Sequence, residues 1–563
     1  MKDLVNCKYG MFIHHVLPWS SYADGSKPQT IDEFADAFDA EGFADSLERM
    51  GVEYIVFTAW HFAVQPLYPS AVSEKWRPGN CPKRDLLGDI IDSVRARDIH
   101  VVMYTHPRDG HDFSEEDKIK TGWGQGAHET DSQQPNLSNF DYDKWNEYML
   151  ELYEEFAERY ASRLSGYYTD SNGPKDPADY LHTNTDHQIV NYLKIRSIMK
   201  SHNPDLVTFQ NYYGNVYTND YGNSETFMGF ISQLFGYKDA HKWYCSKNIA
   251  TTLAPFSSGW MSTPSRTGES ILTSTVKELV TYTMFNGSCS ACGNVLYASG
   301  TFTEGNLWSI GVEETMAEIK AILANYKESF MDATPSTSYP TRSGSCLEDN
   351  NMMFFMTGEG KAYEYLHIMA LPEDGVIELG LPEDEIELSC PICETLNITE
   401  FTKTDAGYVI KVSQKSECFD HVIRFDRIGT PQPPKYEWIN NTDKRICYNG
   451  AWFYASCWGY DETNRAKGCY ERELHCGCDK GDSLYLAFEG SAIEIYGATK
   501  STYGHADIFI DGIPCAHVSQ YDEEIKGHVL FYKSDNLYGG KHVLQIYAAE
   551  DKVICLDAVK VIY

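Results

Sequence analysis

No apolar run in this chain is long enough to cross a bilayer as a helix, which excludes a helical membrane protein. Basic residues are scarce. Lys and Arg number 47 against 81 Asp and Glu, a formal charge of −34. Such a surface repels phosphate, so nucleic acid and an anionic membrane leaflet are both poor partners. No GxGxxG opens any helical segment, which argues against a dinucleotide fold, and HExxH is absent. The 16 cysteines are scattered. The close pairs Cys289/Cys292, Cys390/Cys393 and Cys476/Cys478 do not combine into a standard zinc spacing, and Cys457, Cys469, Cys476 and Cys478 make a four-ligand set only on paper. The opening residues, MKDLVNCKYGMFIHH, carry no long apolar stretch of signal-peptide type. Free thiols in a reducing cytoplasm are therefore expected, an expectation that a leader removed ahead of this chain would reverse.

What is present is ample material for a core. Hydrophobic residues make up 42% of 563, too many for a disordered chain, and the length predicts several domains. Aromatic residues reach 13%, with 39 Tyr against 26 Phe and 11 Trp. Amphipathic rings suit sugar binding, but an ordinary aromatic core has the same composition.

Residues 1–330 alternate short apolar runs with helical patterns. The runs are GMFIHH (10–15), YIVFTAW (54–60), HVVMYTH (100–106), LSGYYTD (164–170) and LVTFQN (206–211), with TTLAPF, TMFNGS and NVLYAS as candidate closing strands. Helical segments such as RDLLGDIIDSVRARD and DKWNEYMLELYEEFAERYAS lie between them. This rhythm predicts a mostly parallel sheet closed as a (β/α)8 barrel, of fold class α/β. Residues 331–432 hold short alternating runs and predict an antiparallel β-sandwich. GTPQPPKYEW (429–438) reads as a stiff linker, and 439–563 as a jelly-roll.

Barrel enzymes build their sites at the C-terminal ends of the strands. Those ends carry His14 and His15, Trp60 and His61, Tyr104 and His106, and Tyr167, Tyr168 and Asp170. Asp170 follows GYYT and precedes a loop, SNGP, where a carboxylate can attack an anomeric carbon or hold a metal. A retaining glycosidase needs a second carboxyl group about 5 Å away, initially protonated. Asp220, Glu225, Asp239 and Glu269 are the candidates, with Asp220 and Glu225 expected in a polar loop after the fifth strand. A zinc or iron site from His14, His61, His106 and Asp170 is the competing use of the same groups.

Tyr9-Gly-Met-Phe-Ile-His14 resembles the opening strand of the alpha-L-fucosidases of glycoside hydrolase family 29, and Phe38 to Phe43 with LERMGVEYIVFTAWHF is similar to that family's next helix and strand. Asp170 stands where the family places its nucleophile. Asn219-Asp220-Tyr221, with Glu225 beyond, resembles the loop carrying the acid/base in one branch, and Gly293 to Leu296 resembles a Gly-Asn-Leu-Leu run near the barrel's end. The resemblance covers about the first 330 residues; 447–563 is more weakly similar to a galactose-binding-like carbohydrate module. It implies double displacement with retention on an oligosaccharide or glycoconjugate. Asp170 would be the nucleophile and Glu225 the acid/base, with Glu269 as the fallback. His14, His61 and Tyr104 would hold sugar hydroxyls, Tyr168 would border the ring, and no cofactor or metal would be required. Self-association is left open.

The chain departs from the family where the sugar is read. Lys-His-His-Asp-Gly-Phe becomes Trp60-His61-Phe62-Ala63-Val64-Gln65, His15 replaces a Trp, and Tyr168 stands where Trp is more usual. Losing one hydroxyl partner changes sugar choice strongly, so a galactoside or another deoxy sugar is an alternative substrate. A catalytically silent carbohydrate-binding protein and a metal-dependent hydrolase are the alternatives from other classes. In the C-terminal unit Trp452, Phe453, Trp458 and Tyr460 predict either a stacking platform or a buried seam, Asp511-Gly512 a tight turn, and Tyr503 a loop aromatic able to reach over the active site.

Overall fold

The computed structural model describes residues 3–61, 63–107, 110, 112–123, 140–170, 190–211, 220–226, 248–253, 256, 260, 262, 275–288, 294–341, 352–431, 435–443, 445–450, 452–456, 468–470, 473–535, 537 and 540–563. The chain forms two compact units: one holds the described residues of 3–226, 248–279 and 294–321, and the other those of 280–288 and 322–563.

The first unit is built on eight parallel strands: β1 (Tyr9–Ile13), β2 (Tyr54–Thr58), β3 (His100–Thr105), β4 (Gly166–Thr169), β5 (Val207–Asn211), β6 (Tyr221–Thr226), β7 (Asn248–Leu253) and β8 (Asn294–Ala298). They pair in sequence order, and β8 returns to β1 with Tyr9 opposite Val295, so the sheet closes. Strands β1, β2 and β3 are buried at every position, as expected of parallel strands covered on both faces. Phe12, Val56, Val102, Tyr104, Tyr168, Phe209, Leu296 and Ala298 fill the barrel. At Gly10 a Cβ would lie 2.5 Å from the Tyr54 carbonyl, so only glycine fits there.

Helices α1 (Ile31–Asp36), α2 (Ala40–Met50), α3 (Ala71–Trp76), α4 (Leu86–Arg95), α5 (Glu115–Thr121), α6 (Tyr142–Tyr160), α7 (Tyr192–His202), α8 (Val276–Ser288) and α9 (Val312–Leu323) follow the strands. Their starts are written in the sequence. Thr30, Asp39, Asp85, Asp141 and Asn191 each accept a backbone N–H three residues on, satisfying an otherwise orphaned donor. Gly51 ends α2 in the left-handed region, at φ 71°. In α6 the stripe Trp145, Tyr148, Met149, Leu152, Tyr153, Phe156 and Tyr160 is buried at helical spacing.

Two readings of residues 1–330 are corrected. TMFNGS, expected as strand, lies inside α8, because Val276 to Ser288 forms one continuous helix. Of the other closing candidates, NVLYA is β8 and the TTL of TTLAPF ends β7. The segment 221–226, expected as a polar loop, is β6, held between β5 and β7. Its polar residues hid it from a reading based on apolar runs.

The second unit is antiparallel β-structure. Strands β9 (Thr334–Pro335), β10 (Met353–Thr357), β11 (Tyr363–Ile368), β12 (Val376–Leu379), β13 (Glu387–Ile392), β14 (Leu396–Thr404), β15 (Gly407–Gln414) and β16 (His421–Ile428) make two sheets, β13-β16-β11-β10-β9 and β12-β15-β14. Leu366, Ile377, Ile410, Ile423 and Phe425 share their apolar core.

Strands β17 (Tyr436–Asn440), β18 (Ile446–Asn449), β19 (Trp452–Ser456), β20 (Glu473–Gly477), β21 (Ser483–Gly490), β22 (Ala492–Thr499), β23 (His505–Ile510), β24 (Ile513–Ser519), β25 (Lys526–Lys533), β26 (Gly540–Ala548), β27 (Ile554–Leu556) and β28 (Ala558–Ile562) make three more sheets. Their orders are β17-β28-β22-β25, β18-β21-β26-β23-β24 and β19-β20-β27. The end of the expected linker is thus strand, since Tyr436 pairs with Ile562. Asp511 and Gly512, at φ 54° and 76°, form the two-residue turn between β23 and β24. Tyr503 does not reach a loop tip: it is buried with Cys469, Cys476 and Cys555. Trp452 is fully buried, while Trp458 and Tyr460 and the side chain of Phe453 lie outside the described residues.

Candidate active site

Side chains alternate across a strand, so each strand end sends every second residue into the barrel mouth. On β1, Phe12 and His14 face inward; on β3, Tyr104 and His106; on β4, Tyr168 and Asp170. The rings of Phe12, Tyr104 and Tyr168 lie 5.4–5.5 Å apart and make the floor. Above them His14 stands 5.5 Å from both His61 and Tyr104, and His61 is 5.1 Å from His106. His61 stacks on Tyr104 at 5.3 Å and 18°. Asp170 is half-buried at the end of β4. Its backbone N–H donates to the Thr105 carbonyl, and its carboxylate accepts the Tyr104 hydroxyl. These contacts fix the carboxylate beside the imidazoles.

Two indoles that the sequence reading missed complete the mouth. Trp19, in the loop after β1, meets His61 at 5.0 Å, and Trp260, beyond β7, meets His14 at 5.2 Å. Both are half-buried. The sequence signal was a Trp among Pro, Gly and Ser residues, within a few positions of the ends of β1 and β7.

His15 and Trp60 are placed elsewhere, a correction with a simple cause. His15 follows an inward residue and so points out. It stacks on Phe34 at 4.2 Å and 13°, with Phe38 against its edge. Strand β2 ends at Thr58, whose hydroxyl bonds both the N–H and the carbonyl of His15. The alternation breaks there. Trp60 turns outward onto Tyr153 and Phe156 of α6, and His61 turns in. Asp220 is also no partner for Asp170. It precedes β6, at the opposite end of the barrel, and pairs with Arg196 at 2.6 Å and Lys200 at 2.8 Å. Burial opposes its ionisation, but these cations hold its carboxyl below the ordinary range. Glu225 is the fifth residue of β6, opposite Thr252. Its side chain, and Asp239 and Glu269 altogether, lie outside the described residues.

Burial sets the protonation of the imidazoles. Desolvation brings His14 down to about 4, with the Asp170 charge opposing. Desolvation and the neighbouring His106 and His14 take His61 well below its ordinary value. At neutral pH both rings are uncharged, able to donate through one nitrogen and accept through the other. Among the described residues no group of three or more His, Cys, Asp or Glu is arranged to hold a metal ion.

His15 supplies a test of this burial. Desolvation lowers it to about 3, and neither ring nitrogen meets a hydrogen-bond partner among the described residues. The unfolded state therefore binds the extra proton between about pH 6.5 and 3, so stability falls as pH drops through that window. His15→Leu is expected to flatten the acid side of a Tm-against-pH curve and to leave turnover intact. An unchanged slope would show that this ring does not drive acid unfolding.

A closed eight-stranded barrel with a carboxylate, neutral imidazoles and half-buried indoles at its C-terminal mouth is the architecture of a barrel-type glycoside hydrolase. Residues 6–286, about half of the chain, match the family model described as alpha-L-fucosidase, and the chain belongs to that family as a divergent member. The putative alpha-L-fucosidase of Caenorhabditis elegans is 34% identical over 105 residues, 18% of this chain and 20% of that protein. Tissue alpha-L-fucosidase of Rattus norvegicus is 39% identical over 88 residues, 16% and 18% of the two chains. These matches span a fifth or less of the length of those curated relatives. The crystal structure of alpha-L-fucosidase from Vibrio sp. strain EJY3 has the same fold over 99% of this chain and 97% of its own, at TM-score 0.51 and 14% identity.

Proposed function

We propose that this chain is an exo-acting retaining glycosidase of the alpha-L-fucosidase type, releasing a terminal sugar from an oligosaccharide or glycoconjugate. The observation that carries this reading is the Asp170 carboxylate, held by Tyr104 beside uncharged His14 and His61 at one mouth. In the first displacement an Asp170 oxygen attacks the anomeric carbon. The glycosidic C–O bond breaks, and its oxygen takes a proton from Glu225, or from Glu269 if that residue serves instead. In the second, the same residue removes a proton from water, which attacks the anomeric carbon and frees Asp170. The neutral imidazoles bond sugar hydroxyls, Tyr104 positions the nucleophile, and Trp19 and Trp260 offer stacking faces. Tyr168, 1% exposed, supports the floor beneath Tyr104. Within the second unit, 331–432 reads as a sandwich and 439–563 as a jelly-roll module.

A sugar other than fucose is the second reading, supported by the departures from the family's sugar-reading residues at Phe62 and at Tyr168, whose ring lies in the floor of the mouth. A screen of aryl glycosides, alpha-L-fucoside first, with the product anomer followed by NMR, tests both. Release of a sugar with retained configuration is expected. An inverted product would defeat double displacement, and turnover of a galactoside alone would move the specificity. Tyr104→Phe is expected to lower kcat/KM by about ten- to a hundredfold, the worth of one hydrogen bond to a charged group, about 1.5–3 kcal/mol. Full activity in that variant would remove Tyr104 from the machinery.

A further inference from the structure

The sheet β17-β28-β22-β25 has one apolar face and one mixed face. Ile439, Val559, Ile495 and Val561 are buried on the first. The other carries Tyr436, Trp438, Lys560, Glu494 and Tyr496, with Trp438 opposite Lys560, Lys560 opposite Glu494, and Glu494 opposite Lys533. Over this row lie Tyr470 and His528. Trp438 stacks on Tyr470 at 5.1 Å and 20°, and Tyr496 on His528 at 4.5 Å and 10°. All four rings are half-exposed.

The placement of His528 is built. It sits where the register of β22 and β25 slips between Gly497 and Thr499, in a left-handed backbone at φ 55°. A bulge re-aims a side chain, and strain of this kind persists only where the surroundings hold it. Here the holder is Asp557, fully buried, which accepts the His528 Nδ1 proton at 2.7 Å and the Tyr470 N–H at 2.7 Å. One carboxylate thus fixes both outlying rings of the group.

We propose that Trp438, Tyr470, Tyr496 and His528 form a sugar-binding platform that takes one pyranose of a glycan chain, independently of the barrel's chemistry. Flat aromatic faces stack on the C–H face of a sugar, and here the near-parallel pair Tyr470 and His528, 6.0 Å apart at 26°, would offer them, with Trp438 and Tyr496 stacked against these rings. The Tyr496 hydroxyl donates to Glu494 and the Lys560 ammonium lies over the rings of Tyr436 and Trp438, so the His528 imidazole is the group left to meet a sugar hydroxyl. Glu494 pairs with Lys533 at 2.8 Å and with Lys560 at 3.8 Å, so the rim offers hydrogen bonds without a strong field of one sign. That suits an uncharged ligand. A patch of four rings is too small for a stable protein interface.

Affinity electrophoresis of the full chain through gels containing mucin tests this, with Asp170→Asn in every arm so that no glycan is cleaved. Retardation of the parent is expected, with Trp438→Ala and His528→Gln each weakening it at least tenfold. Tyr470→Ser serves if Trp438→Ala fails to fold, as judged by near-UV circular dichroism. No retardation of the parent, or equal retardation of parent and folded variants, overturns the platform. Equal retardation by mucin stripped of its glycans overturns it in favour of protein contact. If Trp438-dependent retardation accompanies failure on every aryl glycoside, the platform stands and the glycosidase reading falls.

Discussion

Asp170→Asn is expected to lower kcat/KM on a cleavable aryl glycoside by roughly 10³- to 10⁴-fold while leaving the fold intact. The size follows from removing the group proposed to form the covalent intermediate; what remains is binding and proton transfer. The fold should survive because Asp170 is half-exposed at a strand end and Asn is of the same shape. Its backbone bond to Thr105 is untouched by the change. Steady-state kinetics beside a far-UV spectrum reads both. In Asp170→Ala, added azide should enter the vacated space, attack from the same face and restore turnover. The glycosyl azide then forms in a single displacement, with configuration opposite to the substrate's. A variant that keeps wild-type rates would place the nucleophile elsewhere and remove the basis of the proposed mechanism.

The second large effect is on stability, in the antiparallel sheets formed by β9 to β16. Arg427, 3% exposed, lies 3.3 Å from Glu364 and 2.9 Å from Asp384 and donates to Ser338 at 3.0 Å. Glu364 is fully buried, and burial pushes its carboxyl up to about 7, with Arg427 among the groups that oppose the rise. Arg427→Met keeps much of the side-chain volume but strands two buried acids, a change that costs about 3–5 kcal/mol. Denaturant unfolding of the second unit's transition measures it. The sign with pH is also set. A carboxyl raised in the folded state favours folding below its unfolded value and loses that contribution as pH rises through about 7. The loss in Arg427→Met should thus be greater at pH 8 than at pH 5. Adding Glu364→Gln and Asp384→Asn should recover most of it. An unaffected midpoint at pH 8 would mean that water reaches these carboxylates.

Much of the barrel was legible because its strands are buried on both faces. Runs such as YIVFT and HVVMYT cannot sit elsewhere, and the expected runs contain β2 to β5 and all of β1 except Tyr9. Strand β6 escaped because YGNSET has no apolar run; its existence follows from the gap that β5 and β7 leave between them. The candidate site was legible to the level of strand ends. His14, His61, Tyr104, His106 and Asp170 meet there, but His15 and Trp60, their chain neighbours, do not. A contiguous pair of residues cannot both face the mouth while the strand runs, and the strand's last residue decides which one does.

Local chemistry alone determined the strand–helix rhythm, the capping residues that start the helices, the Asp511-Gly512 turn and the acidic surface. Each of these depends on neighbours within a few positions, and so it is written in consecutive letters. Which imidazoles lose their charge, which aromatics become walls, and how Asp557 ties His528 to Tyr470 depend on groups brought together from distant parts of the chain. Desolvation and ring stacking act through space, so only closure of the barrel and pairing of the sheets could decide them.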